Sequence, residues 1–558
     1  MKEQQVYRRA RLAAAATLAV LTAYVLFLTN PHYNLGDDAI LLRAMGGAVG
    51  GVIDGFNDYT HTLLRRCIQG LTLLWPEAAW FSVAQVAILT ISIWTTVASS
   101  ILFAYRQKLP LWLGWLAGAG FSFIFLMPSA SGVTFTLTAA SAGCAAVWQL
   151  LAIDWRGASR RRELAKSLLL LALCLSMRRE VVAPALVFWL GALLWRRLTG
   201  CCDTRRFLTA ALSGVVLLAA LTGIQAIENI CSGEQAYLDW QVARSSAIDY
   251  GGFAAMTEEQ ILENGWTAKE VQLAQGWCFL DSGMTTEALT RAGEAADPYA
   301  SASEILHVLQ RLLTRSRNIF WAVLLLAGLC LTALLSQNRW TRLAALACGM
   351  AAAALLVYLA WKGRLPMRAA ATVMFPACAL GTALALPVFW QHRKGLARWL
   401  CAGAAMLLAV LMFFNARYAW NSTFNPSPKQ TDFAHTRLEH YALEHPDELI
   451  IGTQKLGVSW QLFPDWSAGK PANLLLSYGG WNNHSAGYRA AFAAFGYKHD
   501  AFRILHFQDD PLRLATAQGE APPEALMDVM EEQAGCAIEA VLCHQENGFD
   551  IYRFKKAI

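Results

Sequence analysis

Two adjacent carboxylates follow the first apolar run of this sequence. Residues 12–29 are long and apolar enough to cross a bilayer, and Asp37 and Asp38 come shortly after them, in NPHYNLGDDAILLRAMGG (30–47). A carboxylate beside lipid is costly unless it caps a helix, is paired or takes part in chemistry. One of the two suits the N-terminus of a helix that begins at Gly36-Asp37. An apolar wall also raises the pKa of a carboxyl group, which suits a general base. We therefore expect a catalytic base in this pair and leave open which residue it is.

Basic residues cluster in two later segments, SMRREVV and WKGRLPMR. The charged groups in these segments are Arg178, Arg179, Glu180, Lys362, Arg364 and Arg368. Guanidinium and ammonium groups stabilise the charge of a phosphate. The alternative is that they anchor the chain by reaching lipid phosphates at the interface.

Two further groups have residue types that bind ligands. In WQVARSSAIDYGGF, Arg244 and Asp249 form either a structural ion pair or part of a site. The tryptophans Trp240, Trp266 and Trp277 would either stack on sugar rings or pack in the core of their loop.

A second acidic group consists of Asp54, Asp58 and His61. Asp and His three residues apart share a helix face and suit a divalent cation, but the local sequence offers no third firm ligand. The sequence therefore establishes no cofactor and leaves a divalent cation open. The alternative for His61 is an ordinary hydrogen-bonding residue on a surface helix.

The elements that must position these residues belong to a membrane protein. Of 558 residues, 56% are hydrophobic and only 15% are charged, which is a low charged fraction for a soluble protein. The runs 164–177 and 181–195 are below the usual length of a span and are expected to be tilted or broken. Eleven runs predict membrane helices: 12–29, 79–104, 109–127, 131–153, 164–177, 181–195, 207–227, 318–336, 343–360, 369–390 and 398–416.

The basic residues predict the orientation, because cytoplasmic loops are enriched in Lys and Arg. We expect a multi-pass plasma-membrane protein with a cytoplasmic N-terminus. The stretch 57–75 has Arg65 and Arg66 in its middle, so we interpret it as an amphipathic helix on the outer surface rather than a span. The predicted cytoplasmic segments are 1–11, 105–108, 154–163, 196–206, 337–342 and 391–397.

Three segments are then external: 30–78, 228–317 and everything after 417. The domains are a transmembrane part (1–416) and an extracytoplasmic α/β domain (417–558), so the fold class is a mainly α polytopic membrane protein with a C-terminal α/β domain. Strands are expected in DELIIGTQ, ANLLLSYGG, IEAVLCHQ and FDIYRFKK, and helices in GYRAAFAAFG and PPEALMDVMEEQAG.

Two features of the external segments have alternative interpretations. The group Trp481, Asn482, Asn483 and His484 in SYGGWNNHSAGYRAAF either faces a ligand or forms a strand-to-helix connection, which we favour. The cysteines have no metal-binding spacing. The pairs Cys536–Cys543 and Cys231–Cys278 are candidate disulfides if their loops are external.

The order of the predicted helices and loops in residues 1–416 resembles that of the GT-C superfamily of polytopic glycosyltransferases. The shared architecture is a first membrane helix, an outer loop with one or two acidic residues, and two surface helices before the second span, and it covers residues 1–416. More closely, GDDAILLRAMGG…DGFNDYTH followed by WPEAAW is similar to a group of bacterial membrane proteins of surface polysaccharide assembly. In that group a Pro usually stands where this chain has Asn57, and the Asp and His that follow match Asp58 and His61.

The resemblance implies transfer of a sugar, with inversion, from a polyprenyl-phosphate-linked donor to a glycan or lipid-linked acceptor on the outer face. Asp37 or Asp38 would be the base, and arginines would stabilise the phosphate. The candidate substrate-binding residues are Asp58, His61, Arg178, Arg179, Glu180, Arg244, Asp249, Arg364 and Arg368. The alternatives are a transporter or flippase of lipid-linked saccharide, which needs no base, and a non-catalytic scaffold of envelope assembly. Membrane lipids are expected partners and nucleic acid is not.

Overall fold

The computed structural model describes residues 3–53, 56–57, 59–281, 283–295, 299–363, 365–391, 403, 410, 426–478, 480–499 and 502–557. Its helices in the first half are α1 (Glu3–Leu28), α2 (Gly36–Gly46), α3 (Thr62–Leu74), α4 (Trp80–Arg106), α5 (Leu111–Phe121), α6 (Met127–Ser131), α7 (Phe135–Leu151), α8 (Arg160–Met177), α9 (Val182–Leu198), α10 (Thr204–Cys231) and α11 (Gln235–Arg244). Those in the second half are α12 (Gly252–Ala255), α13 (Glu258–Glu263), α14 (Ala268–Gln275), α15 (Thr286–Glu294), α16 (Ala302–Arg315), α17 (Arg317–Leu334), α18 (Arg339–Trp361), α19 (Met367–Gln391), α20 (Pro426–Glu444), α21 (Ala486–Ala494) and α22 (Glu524–Ala534). The strands are β1 (His32–Tyr33), β2 (Gly132–Val133), β3 (Leu449–Gly452), β4 (Leu474–Leu475), β5 (Leu512–Ala517), β6 (Ile538–Glu546) and β7 (Phe549–Lys556).

The predicted multi-pass helical architecture is confirmed. Within the described residues, seven helices are long and apolar enough to cross a membrane, and an eighth is added if the bent pair α16 and α17 is one span. Ten of the predicted runs contain a helix, and the run 398–416 lies almost wholly outside the described residues. Helix α7 is short but buried along its whole length, between α4, α8 and α19. It therefore forms the centre of the bundle.

Polar contacts join four of the predicted cytoplasmic segments at one end of the bundle. The Arg106 guanidinium donates to Glu163 (Nη2 to Oε1, 3.0 Å), and Tyr7 also bonds this carboxylate. The backbone N–H of Asp154 donates to the same side chain (3.0 Å). Arg196 donates to a carbonyl oxygen at the end of α7, that of Ile153 (3.3 Å). These segments thus share one face, as their basic residues indicated.

The opposite end of the bundle carries the candidate site, and we call it the site end. There β1 pairs in parallel with β2, which brings the segment after α1 against the start of α7. Helix α3 has 13 residues and is therefore about 20 Å long, too short to cross a hydrocarbon layer of about 30 Å. The prediction that 57–75 holds a helix but no span is consistent with this length.

The C-terminal part forms a five-stranded sheet at the site end. The strand order is β4-β3-β5-β7-β6, with β3 parallel to β4 and β5, and with β7 antiparallel to β5 and β6. All four expected strands and both expected helices are present, whereas β5 and α20 were not predicted. The boundary at 417 lies outside the described residues.

The candidate disulfides are absent, because all four cysteines involved are free thiols. Cys543 lies within β6 and Cys536 precedes it. Because a strand extends by about 3.3 Å per residue, the strand holds the two sulfur atoms apart.

Candidate active site

Asp37 and Asp38 lie in the first turn of α2 and have different surroundings. The residue before the helix is Leu35, which makes no side-chain cap. Asp38 caps a neighbouring helix instead, since its Oδ1 accepts from the backbone N–H of Phe135, the first residue of α7 (2.7 Å). The prediction that one of the two aspartates caps its own helix was therefore wrong, and Asp38 instead accepts a bond at the start of α7, beside the N-cap residue Thr134.

Asp38 is fully buried, behind the site. Its Oδ1 also accepts from Gln85 Nε2 on α4 (3.1 Å), while Oδ2 has no hydrogen-bond partner among the described residues. Burial raises the pKa of Asp38 well above its usual range, and the nearby Asp37 adds to the rise, which favours the neutral acid. Asp38 thus holds three elements together and does not reach solvent.

Asp37 lines a cavity of about 310 Å³, which we call the central cavity. Its Oδ2 lies 3.5 Å from Nη1 of Arg368, in the first turn of α19. Arg178 and the pair Arg244–Asp249 line the same cavity. The structure therefore brings one of the two aspartates together with three of the arginines identified from the sequence.

Each of the other two guanidinium groups is held by its own contacts. Arg178 ends α8, where it donates to Thr136 Oγ1 on α7 (2.6 Å) and to Glu180 (3.2 Å). Arg244 donates to Asp249 Oδ2 (3.4 Å) and lies 5.2 Å from the ring centroid of Trp277. These contacts fix both cations at the cavity wall before any ligand binds.

Local backbone geometry directs several of these side chains. The chain from Ser245 to Asp249 is a π-helical segment that continues α11 and ends at Tyr250. A π-helical turn inserts an extra residue and rotates the side chains that follow. Ser245, Ser246 and Asp249 consequently all line the central cavity. The two short runs predicted at 164–177 and 181–195 correspond to α8 and α9, which are separate helices because a 3₁₀ turn at Arg179–Val181 lies between them.

Aromatic residues from distant parts of the chain complete the wall. Tyr59, Trp277 and Trp481 line the central cavity, and the Tyr59 and Trp481 rings meet edge to face, 5.1 Å between centroids. Trp481 therefore has a place in the site, although we favoured a connecting role for its segment. Tyr59 carried no sequence signal beyond its position beside the candidate Asp58.

Of the three residues after Trp481, Asn482 and Asn483 are buried and His484 is half-buried, and their contacts support the connecting role. Asn483 donates to the carbonyl oxygen of Phe279 (2.5 Å) and accepts from His499 Nε2 (2.6 Å). His484 packs against Trp240, 4.6 Å between ring centroids. Burial, and then the neighbouring His499, lower the pKa of His484 to about 3.

An apolar groove of about 620 Å³ adjoins the central cavity. We call it the lipid-side groove, because it lies between α9, α18 and α19, with Pro184, Leu355 and Val373 in its wall. Arg178 and Arg368 line both the groove and the cavity, and Lys362 and Glu180 lie at the groove alone. A long apolar chain in the groove would thus end beside two guanidinium groups.

The remaining candidates lie elsewhere. His61 is the N-cap of α3; its Nδ1 accepts from Leu63 N (3.1 Å) and its Nε2 donates to Leu221 O (2.8 Å), away from the cavity. Arg179 is exposed and pairs with Glu180. Asp58 and Arg364, and also Asp54, lie outside the described residues. Within the described residues no three His, Cys, Asp or Glu side chains are grouped to hold a metal ion.

Comparisons with known proteins identify the fold. No family model and no curated protein sequence matches the chain. Among solved structures it is similar to ArnT from Cupriavidus metallidurans in the apo state, with a TM-score of 0.51, 14% identity and coverage of 97% of each chain. The crystal structure of ArnT from the same organism bound to undecaprenyl phosphate matches with a TM-score of 0.49 at the same identity and coverage. The chain therefore has an ArnT-like fold over nearly its whole length.

Proposed function

We propose that this protein transfers a sugar from a polyprenyl-phosphate-linked donor to an acceptor hydroxyl, with Asp37 as the general base. The observation that carries the proposal is the meeting of Asp37, Arg178 and Arg368 in one cavity, since both arginines also line the adjoining lipid-side groove. The match in fold to ArnT, a GT-C glycosyltransferase, supports the assignment to this class of enzyme.

The groove and the cavity suit the two parts of such a donor. The prenyl chain would occupy the apolar wall between α9, α18 and α19, and the phosphate would lie beside Arg178 and Arg368. Arg368 is 3.5 Å from Asp37, so a phosphate bound to this guanidinium places its sugar next to the carboxylate. The rings of Tyr59, Trp277 and Trp481 provide apolar faces for the sugar.

The proposed reaction is a single displacement. The acceptor oxygen forms a bond to the anomeric carbon from the side opposite the phosphate, while its proton passes to the Asp37 carboxylate. The bond between the anomeric carbon and the phosphate oxygen breaks, and the electron pair leaves with the polyprenyl phosphate. Arg178 and Arg368 stabilise this charge, so the leaving group needs no proton from an acid.

The proposed orientation places the site end outside the plasma membrane. The basic segments joined by Arg106 and Glu163 lie at the opposite end of the bundle, and positively charged loops favour the cytoplasm. The C-terminal sheet would then be extracytoplasmic and the N-terminus cytoplasmic.

Substitution of the two adjacent acids tests the proposal. Asp37→Asn should lower sugar transfer about 100-fold or more, the usual contribution of a general base, because the amide cannot accept the proton. Asp38→Asn is the matched control and should retain transfer, because Asp38 does not line the cavity. The measurement is the amount of surface glycan in cells that express each variant at equal protein level. Wild-type glycan with Asp37→Asn would contradict the proposal and favour transport, which needs no base.

A further inference from the structure

A second cleft at the site end lies beside the central cavity. It is a cleft of about 580 Å³ between α11 and α15, which we call the outer cleft. Its lining includes Asp239 on α11 and Thr286, Thr290 and Glu294 on α15. The Asp239, Thr290 and Glu294 side chains are exposed, so the cleft is accessible from solvent.

The outer cleft adjoins the central cavity and the lipid-side groove and shares lining residues with both. Val242 and Ser246 line both the cleft and the cavity, and Gly293 lines both the cleft and the groove. Ser246 lines all three and thus lies where they meet. The central cavity, which Asp37 and Arg368 line, thus has a largely apolar groove on one side and a solvent-exposed polar cleft on the other.

The chemistry of the outer cleft differs from that of the central cavity. Its polar lining consists of hydroxyl groups and two carboxylates, and among the described residues it has no Lys, Arg or His. Thr290 Oγ1 donates to the carbonyl oxygen of Thr286 (2.8 Å), which leaves its oxygen free to accept. Carboxylate and hydroxyl oxygens bind hydroxyl and ammonium donors and repel phosphate and other anions.

We propose that the outer cleft is the acceptor site and that the acceptor is a neutral or cationic saccharide, modified on a hydroxyl group. The inference rests on the proposed function, to which it adds the chemical class of the acceptor and its route of entry. The acceptor hydroxyl passes Ser246 to reach the anomeric carbon of the donor in the central cavity. There its oxygen displaces the polyprenyl phosphate, and its proton goes to Asp37, as in the displacement above.

Variants of the cleft separate acceptor binding from donor binding. Thr290→Val and Glu294→Gln, combined in one chain, remove an accepting oxygen and a charge without altering the volume greatly. The matched control is Glu263→Gln, on α13 of the same external segment and outside the cleft lining. Two quantities are measured: surface glycan in cells, and binding of undecaprenyl phosphate to the purified full-length protein in lipid nanodiscs.

We expect the double variant to lose about tenfold in glycan, because unpaired polar groups of the acceptor weaken its binding, while undecaprenyl phosphate binds as in the wild type. Full glycan in the double variant, together with loss in Asp37→Asn, would overturn the acceptor site and leave the proposed function intact. Parallel loss of undecaprenyl phosphate binding would also overturn it. Linkage analysis of the glycan adds an independent readout. Attachment to a hydroxyl of a neutral sugar or amino sugar is expected, whereas attachment to a phosphate or an acidic sugar would overturn the inference.

Discussion

Asp37 and Asp38 are adjacent in the sequence, but their carboxyl groups have different surroundings. Successive residues of a helix point about 100° apart, so Asp37 faces the cavity while Asp38 faces the bundle. The neutral form of Asp38 is favoured because its carboxyl is buried, and a neutral acid is close in shape to asparagine. The same substitution therefore has different consequences at the two positions.

The pH dependence of stability tests the state of Asp38. A carboxyl whose pKa is raised by folding contributes stability below its unfolded pKa of 3.8, and that contribution is lost as the pH rises through the folded pKa. Asp38→Asn should remove this component, so the variant gains thermal stability relative to wild type as the pH increases. Melting temperatures in detergent between acid and neutral pH measure the difference. A constant offset between the two proteins at every pH would contradict neutral burial of Asp38.

The sequence was sufficient to identify most of the charged residues that meet in the cavity. They come from three distant segments, one with Arg178, one with the pair Arg244 and Asp249, and one with Arg368, and each segment was predicted to lie on the outer side. The sequence could not show which of Asp37 and Asp38 faces the cavity, because the burial of Asp38 depends on its contact with Phe135, 97 residues away. Tyr59 was missed for the same reason, since its role depends on Trp481.

At the scale of elements, the π-helical segment after α11 shapes the site. It presents Ser246 and Asp249 to the cavity, and α15 packs directly on it. A methyl group at Gly293 on α15 would lie 2.5 Å from Cβ of Ser246. The close approach of the two elements therefore requires glycine. Apolar periodicity in the sequence does not distinguish this π-helical segment from an α-helix, because five residues are too few to shift the pattern by the one residue that a π-helical turn adds.

A glycine substitution tests this packing. Gly293→Ala should cost about 1–3 kcal/mol from overpacking and lower sugar transfer, because the segment must shift. Gly223→Ala on α10 is the control, since its added methyl group meets nothing within 4 Å. Both variants are compared by thermal stability and by surface glycan. Equal behaviour of the two would show that α15 does not constrain the π-helical segment.

At the scale of the whole molecule, the C-terminal sheet is clamped onto α2. Arg43 of α2 forms a partly buried ion pair with Glu439 of α20, and Lys470 donates to the carbonyl oxygen of Gly46. The backbone N–H of Tyr33 donates to Trp460 O (2.8 Å). Helix α2, which contains Arg43, also contains Asp37. The sheet thus positions the proposed base from outside the bundle.

A second pair of glycines tests the clamp. Gly50 and Gly51 both have positive φ, 61° and 69°, so alanine is strained at either position. A methyl group at Gly50 would lie 2.0 Å from the carbonyl oxygen of Gly487 in the first turn of α21, whereas one at Gly51 has its nearest contact at 3.7 Å. Gly50→Ala should therefore destabilise the protein by about 1–3 kcal/mol more than Gly51→Ala. Limited proteolysis of the sheet and surface glycan are the readouts, and equal sensitivity of the two variants would argue against the clamp.

The helical plan and most of the C-terminal strands could be predicted because apolar runs and alternation are local signals. The arrangement of the sheet on the bundle could not, since its contacts join residues hundreds of positions apart. Arg43 and Glu439, for example, are separated by 396 positions and have no signature as a pair. Strand β5 was missed because LRLATA is a short run between polar segments.

The position of β7 between β5 and β6 makes closure of the sheet a late event in the synthesis of the chain. Residues through Lys556 must leave the ribosome before this interior strand can insert and the sheet can close. Until then β5 and β6 lack the antiparallel partner that joins them, although every candidate membrane helix before the sheet has already been made. A chain that ends before the last strand would therefore have its helical bundle but an open sheet.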